Sequence, residues 1–357
     1  MLCALLAYAP MGLANSFVDA EYAAQEGRYR DVVEILTRAL NARELNAQGV
    51  VVGHANRGIA YSLLNEYGLA AEDLKIAHGL DPSHVLTMNH RGILAEHVDG
   101  NLTAAKAWYE KAPAADFPAA HVNLAQLLLG EHPGVPPDVR RARDLLMAAA
   151  DADYAMAFVP LGNLARDGHA GLAGALTRAF EWYSRGAAAG VIEAHYPLGQ
   201  CYQFGLGVGP DAAAAAEQYE LAAIQGHASA QNALGYLYRG GSGVTEDFTR
   251  AVEWYRHAAG QGHNQAGNRL AWLLATCSTS TVWDGKEALA LAEKLTGAQT
   301  AAGYLDTLAA TQARVGRFGD AVSTMKRVIA GLPAGASGRA RFQQRLRLYE
   351  SGKPYQL

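Results

Sequence analysis

The sequence predicts an all-α fold, a right-handed α-solenoid (superhelix) of short helix-turn-helix repeats. Three observations predict it. A set of residues recurs at a displacement of 36 positions. The 38 glycines fall at regular intervals, where a repeated fold needs turns and close helix contacts. No stretch alternates Val, Ile or Thr with polar residues, as a half-buried strand would. Half of the 357 residues are hydrophobic, enough for a continuous core.

The first segment, residues 1–14, stands apart. Leu2 to Ala9 is apolar, and Gly12-Leu13-Ala14 ahead of Asn15 resembles a signal-peptidase site. The charged start of such a signal is missing, so the segment reads as a truncated signal whose start lies upstream. That reading places the mature chain in the periplasm or outside the cell. The alternative is an ordinary apolar first turn of the solenoid in a cytoplasmic protein. No other segment is apolar over a length that spans a membrane.

Residues 15–118 show a period of 34. Gly58, Tyr61, Tyr67, Ala70, Leu74, Ala77 and Pro82 form one unit, and Gly92, Ala95, Asn101, Ala104 and Trp108 follow 34 positions later. Ala20, Ala23, Gly27, Tyr29 and Leu36 form a first copy.

Residues 119–267 show the stronger period of 36. Leu198, Gly199, Tyr202, Gly205, Gly207, Val208, Asp211, Ala215, Tyr219 and Ala222 recur as Leu234, Gly235, Tyr238, Gly241, Gly243, Val244, Asp247, Ala251, Tyr255 and Ala258. Two looser copies precede them. One runs through Leu161, Gly162, Gly168, Ala179 and Tyr183, and the other through Leu124, Gly134, Asp138, Ala142 and Leu146. Within a unit, Leu198, Cys201 and Tyr202 share one face of a first helix. Gly205-Leu206-Gly207-Val208 makes the turn, and Asp211 is placed to accept the free N–H groups of a second helix. Ala215, Tyr219, Ala222 and Ala223 form that helix's buried stripe, and Gly226 ends it in the left-handed region.

Residues 268–335 return to the first pattern through Leu270, Trp272, Cys277 and Asp284-Gly285, then Leu308, Gly316, Phe318, Ala321, Met325 and Pro333. Residues 336–357 form a capping helix and tail. The arginines at 339, 341, 345 and 347 read as the solvated outer face of a terminal cap.

The units of period 36 resemble the Sel1-like repeat, and those of period 34 resemble the related tetratricopeptide repeat. The resemblance implies an α-solenoid that binds other proteins. Exported Sel1-like proteins act in envelope regulation, polysaccharide secretion or host interaction, so the resemblance extends to a bacterial envelope role. Some relatives carry a cysteine pair in each repeat, but here Cys3, Cys201 and Cys277 show neither zinc-like nor redox spacing. Some tetratricopeptide domains clamp a C-terminal carboxylate with Lys and Asn. Phe17, Glu21, Ala55 and Ile59 stand at those positions instead.

The residues point to no catalytic constellation, no metal site and no cofactor. His90, Glu96 and His97 lack the order of a zinc helix, and no nucleophile elbow is present. Gly205 to Gly209 follows a helix rather than a strand, which excludes a phosphate cradle. A net charge of −4 with only 18% charged residues argues against a nucleic-acid partner. A hydrolase with an unrecognised site is a third reading, behind the exported scaffold and a cytosolic adaptor.

The expected partner is another protein or a peptide. In such solenoids the first helix of each unit lines the concave face. Two residues after each leading Leu, the chain holds Gln126, Asn163, Gln200, Tyr236 and Trp272. Three positions further stand Leu129, Arg166, Gln203, Arg239 and Ala275. The expected partner-binding set is Gln126, Asn163, Arg166, Gln200, Gln203, Tyr236, Arg239 and Trp272. Amides can bond an extended backbone, while Tyr, Trp and Arg are common interface anchors.

Overall fold

A computed structural model describes residues 15–43, 45–112, 117–168, 176–279, 282–298, 301–333, 336 and 338–357. The expected signal segment lies outside them. Nineteen α-helices occupy the described residues, and the only extended pairing among these is an isolated bridge between His132 and Val135. Within each of two compact units the helices pack in series, each against the next, as the repeats require.

The chain forms two compact units. The first holds α1 (Asn15–Gln25), α2 (Tyr29–Asn41), α3 (Ala47–Leu63), α4 (Tyr67–Leu80), α5 (Val85–His97), α6 (Leu102–Lys111), α7 (Pro118–Leu129), α8 (Val139–Asp151) and α9 (Phe158–Arg166). Its core starts with Phe17, Ala20, Ala23, Val32 and Leu36, and continues through Ala70, Leu74 and Leu94. Between α3 and α4, the buried Asp73 carboxylate accepts two hydrogen bonds from Arg57, at 2.7 and 2.8 Å, and lies 2.8 Å from His54 Nδ1. Burial pushes the Asp73 carboxyl up, but the bonds to Arg57 and His54 outweigh it and hold the group below its ordinary value.

The second unit holds α10 (Leu176–Ala188), α11 (His195–Phe204), α12 (Ala212–Ile224), α13 (Ala228–Gly240), α14 (Phe248–Gly260), α15 (Asn264–Thr276), α16 (Gly285–Ala298), α17 (Ala302–Arg314), α18 (Phe318–Ala330) and α19 (Arg339–Glu350). The expected caps form. Asp211 accepts from the Ala213 and Ala214 N–H groups, and Asp247 accepts from Arg250 N–H. Ala215, Tyr219, Ala222, Ala251, Tyr255 and Ala258 are buried in one core with Leu234, Leu237 and Leu270.

Two glycine positions explain the period in atomic terms. A Cβ on Gly199 would sit 2.7 Å from the Tyr219 ring, and one on Gly235 would sit 2.8 Å from the Tyr255 ring. Each tyrosine therefore lies close against a glycine of the preceding helix. Gly207 and Gly243 combine a φ above +70° with backbone contact. A Cβ there would meet the carbonyl oxygen of Leu176 or Ala212 at little more than 2 Å. Each turn thus rests on the first residue of the second helix one repeat earlier.

The reading of the terminal arginines as a solvated cap needs correction at Arg345, while Arg341 and Arg347 are exposed. Arg345 is buried, and its guanidinium donates two hydrogen bonds to the Asp306 carboxylate, at 2.9 and 2.7 Å. A guanidinium taken out of water needs a partner of this geometry. Arg345 also lies over the rings of Trp272, Phe342 and Tyr355. The pair fastens α19 to α17 instead of facing solvent.

Candidate functional site

The first helices of the second unit build a cleft of about 320 Å³. It is lined by Tyr196, Gln200, Gln203 and Phe204 on α11, Ser229, Asn232, Ala233 and Tyr236 on α13, Arg269 on α15 and Tyr219 beneath. Residues four apart on one helix share a face, so Tyr196 and Gln200, like Asn232 and Tyr236, line it together. No carboxylate lines the cleft.

Hydrogen bonds hold most of these polar groups. Tyr219 O–H donates to Gln203 Oε1 at 2.7 Å, and Gln200 Nε2 donates to Tyr196 Oη at 3.2 Å. Tyr196 stacks on His227, with ring centroids 4.6 Å apart. Burial lowers the His227 pKa and raises that of Tyr219, keeping both rings neutral near pH 7. Arg269 Nη1 donates to Asn232 Oδ1 at 3.1 Å, which orients the guanidinium.

The far end of the cleft is different. Tyr236 is 42% exposed and lies between two guanidiniums, with Arg239 Cζ 5.4 Å and Arg269 Cζ 5.1 Å from its ring centre. Neither arginine pairs with a carboxylate among the described residues. Arg239 Nε is buried without a hydrogen-bond partner, and so is the Tyr255 hydroxyl. Burial pushes the Tyr255 phenol up to about 12, while Arg269 and Arg239 pull it the other way. These four side chains, on three helices, present donors and an aromatic face but few acceptors.

The expected binding residues separate into three groups. Gln200, Gln203 and Tyr236 come together in the lining of this cleft, and Arg239 lies beside the Tyr236 ring. Gln126, Asn163 and Arg166 belong to the first unit, where Gln126 is exposed, Asn163 is half-buried and Arg166 bonds the adjacent Asp167. Trp272 lies against the chain's own tail. Its ring centre is 5.8 Å from that of Tyr355, and Leu357 N–H donates to the Thr276 carbonyl at 2.8 Å. Of the expected residues on first helices, those lining the cleft therefore end at Tyr236.

Sequence reasoning missed Tyr196, Asn232 and Arg269. The first two were findable, since they sit one helical turn before Gln200 and Tyr236 and are themselves 36 apart. Arg269 has no such signal. Its repeat counterpart is Ala233, and only its reach across to Asn232 brings it into the cleft.

Elsewhere, no group of three or more His, Cys, Asp or Glu side chains converges on a metal-sized site among the described residues. No described helix is long and apolar enough to cross a membrane. Cys201 and Cys277 are both buried.

Comparison with known proteins agrees with this architecture. The Sel1 repeat family matches residues 88–112, 118–154, 161–191, 192–227 and 228–263. The first of these matches takes in a segment that the period of 34 groups with the upstream units. No curated protein matches the chain. Among solved structures, a Sel1 repeat protein from Oxalobacter formigenes is 25% identical, with a TM-score of 0.57 over 68% of this chain and 96% of that one. The protective antigen c5321 of uropathogenic Escherichia coli, which displays an SLR fold, is 22% identical. Its TM-score is 0.55, over 90% of this chain and 76% of that one. The chain thus carries five Sel1 repeats between residues 88 and 263.

Proposed function

We propose that this chain is a non-catalytic scaffold that binds an extended segment of a partner protein in the cleft across α11, α13 and α15, and that it does so in the bacterial envelope after export. Sel1 repeats generally mediate protein–protein interaction, which gives the reading its frame. The observation that carries it is the lining of the cleft. Amides of Gln200, Gln203 and Asn232 alternate with Tyr196, Phe204 and Tyr236, and the Arg269 guanidinium lines one end, with Arg239 beside Tyr236. Amides can exchange hydrogen bonds with an extended main chain, and aromatic and guanidinium groups are the usual anchors of interfaces. No side chain in the lining has the chemistry of a nucleophile with a base beside it. The export half rests on the apolar stretch from Leu2 to Ala9 and the small residues before Asn15.

One experiment tests both halves. Cells expressing the tagged chain are fractionated, and partners are crosslinked and recovered from each fraction. The wild type is expected in the periplasmic fraction with a specific partner. The Tyr236→Ala, Arg239→Glu double variant, with its helical circular dichroism intact, is expected to lose that partner. Equal recovery by the folded double variant rejects the cleft, and a chain confined to the cytosol rejects export.

A further inference from the structure

We infer that the end of the cleft at Tyr236, where Arg269 lines it and Arg239 lies beside the ring, is a binding site for a carboxylate, the side chain of an Asp or Glu in the bound segment. The inference deepens the proposed peptide-binding role and rests on it for the source of the carboxylate.

The repeat itself supplies the internal control. In the unit 195–230, the buried Tyr219 hydroxyl has an acceptor, Gln203 Oε1, at 2.7 Å. Thirty-six residues later the same tyrosine is Tyr255, but the residue equivalent to Gln203 is Arg239. A guanidinium has no acceptor atom. The exchange therefore leaves the Tyr255 hydroxyl without a partner and buries Arg239 Nε without one as well. An unsatisfied buried donor works against folding, and proteins break such local rules chiefly where a site requires it.

The surroundings say what is missing. Arg269 reaches the same ring from α15 and is oriented there by Asn232. Two guanidiniums thus flank Tyr236, with no carboxylate paired to either among the described residues. Such a cluster is complemented by an anion with several acceptor positions, and guanidiniums bind planar carboxylates through paired N–H groups. The cleft crosses three first helices. A segment held there through its main chain by the amides turns its side chains toward the walls, so the group that meets the arginines is an acidic side chain.

The test uses the full chain with ¹⁵N-labelled arginine, observing the Nε–Hε resonances. The probes are acetyl-Glu-N-methylamide, its Gln counterpart, acetyl-Gly and inorganic phosphate. Acetyl-Gly carries a terminal carboxylate. Saturable shifts of Arg239 and Arg269 are expected with the Glu compound, at a Kd at least about tenfold below that of the Gln compound and below those of acetyl-Gly and phosphate. Arg239→Gln recreates the Gln203–Tyr219 arrangement. It is expected to keep the fold, to melt at a higher temperature and to weaken the Glu compound at least about fivefold. Equal binding of the Glu and Gln compounds overturns the inference, as does tighter binding of phosphate or acetyl-Gly, or unchanged affinity in Arg239→Gln. Partner recovery separates this from the proposed function. If the double variant loses its partner while no probe binds, the cleft stands and the carboxylate falls. If the Glu compound binds while partner recovery is unchanged, the carboxylate site stands and the partner docks elsewhere.

Discussion

The unit formed by α11 and α12 and the unit formed by α13 and α14 are nearly the same object, 36 residues apart. Both place a tyrosine close against a glycine, both start the second helix with an aspartate cap, and both rest their turn glycine on the second helix of the previous repeat. They differ where the first helix meets that tyrosine's hydroxyl. Gln203 closes the hydrogen bond in one, while Arg239 leaves it open in the other. The packing of a repeat and the polar chemistry of its face can therefore vary separately. The residues that set backbone spacing are shared, and the residue that sets what the face can bind is not.

That comparison can be broken at its common part. Gly199→Val and Gly235→Val each drive a side chain into a buried tyrosine ring. Each is expected to cost about 3 kcal/mol in chemical denaturation, the two agreeing to within about 1 kcal/mol. A large inequality between them would show that the two units do not share one packing rule.

It is sharpened at the point of difference. Tyr219→Phe removes a made hydrogen bond and strands Gln203 Oε1, at an expected cost of about 1.5 kcal/mol. Tyr255→Phe removes a hydroxyl that has no partner, and should lie within about 0.5 kcal/mol of the wild type. Equal costs by thermal and urea unfolding would mean that the Tyr255 hydroxyl is satisfied in solution.

The caps are expected to cost less than the Tyr219 hydrogen bond. Asp211→Ala and Asp247→Ala should each cost about 1 kcal/mol by the same unfolding measurements. Asp211 bonds two N–H groups where Asp247 bonds one, so the first cost should be the larger. The reverse order would place the stronger cap in the other unit.

The partner face was legible in part. Gln200, Gln203, Tyr236 and Arg239 follow from helical spacing, because residues on one face of a first helix recur with the repeat. Trp272 fits the same spacing, yet Tyr355, far along the chain, lies against it. Arg345 sits in a strongly polar helix and reads as solvated. It is buried because Asp306, on another helix, answers its charge with two short bonds.

The all-α fold, the register of the repeats and the aspartate caps follow from the sequence alone. Each of these is set by short-range geometry, and short-range geometry repeats with period. Only the tertiary structure decided which long side chains meet. Arg269 enters the cleft, Arg345 leaves the surface, and the tail covers Trp272. The physical reason is that a guanidinium or an aromatic ring reaches well beyond its own helical turn, so its partner is chosen by the packing of helices distant in sequence.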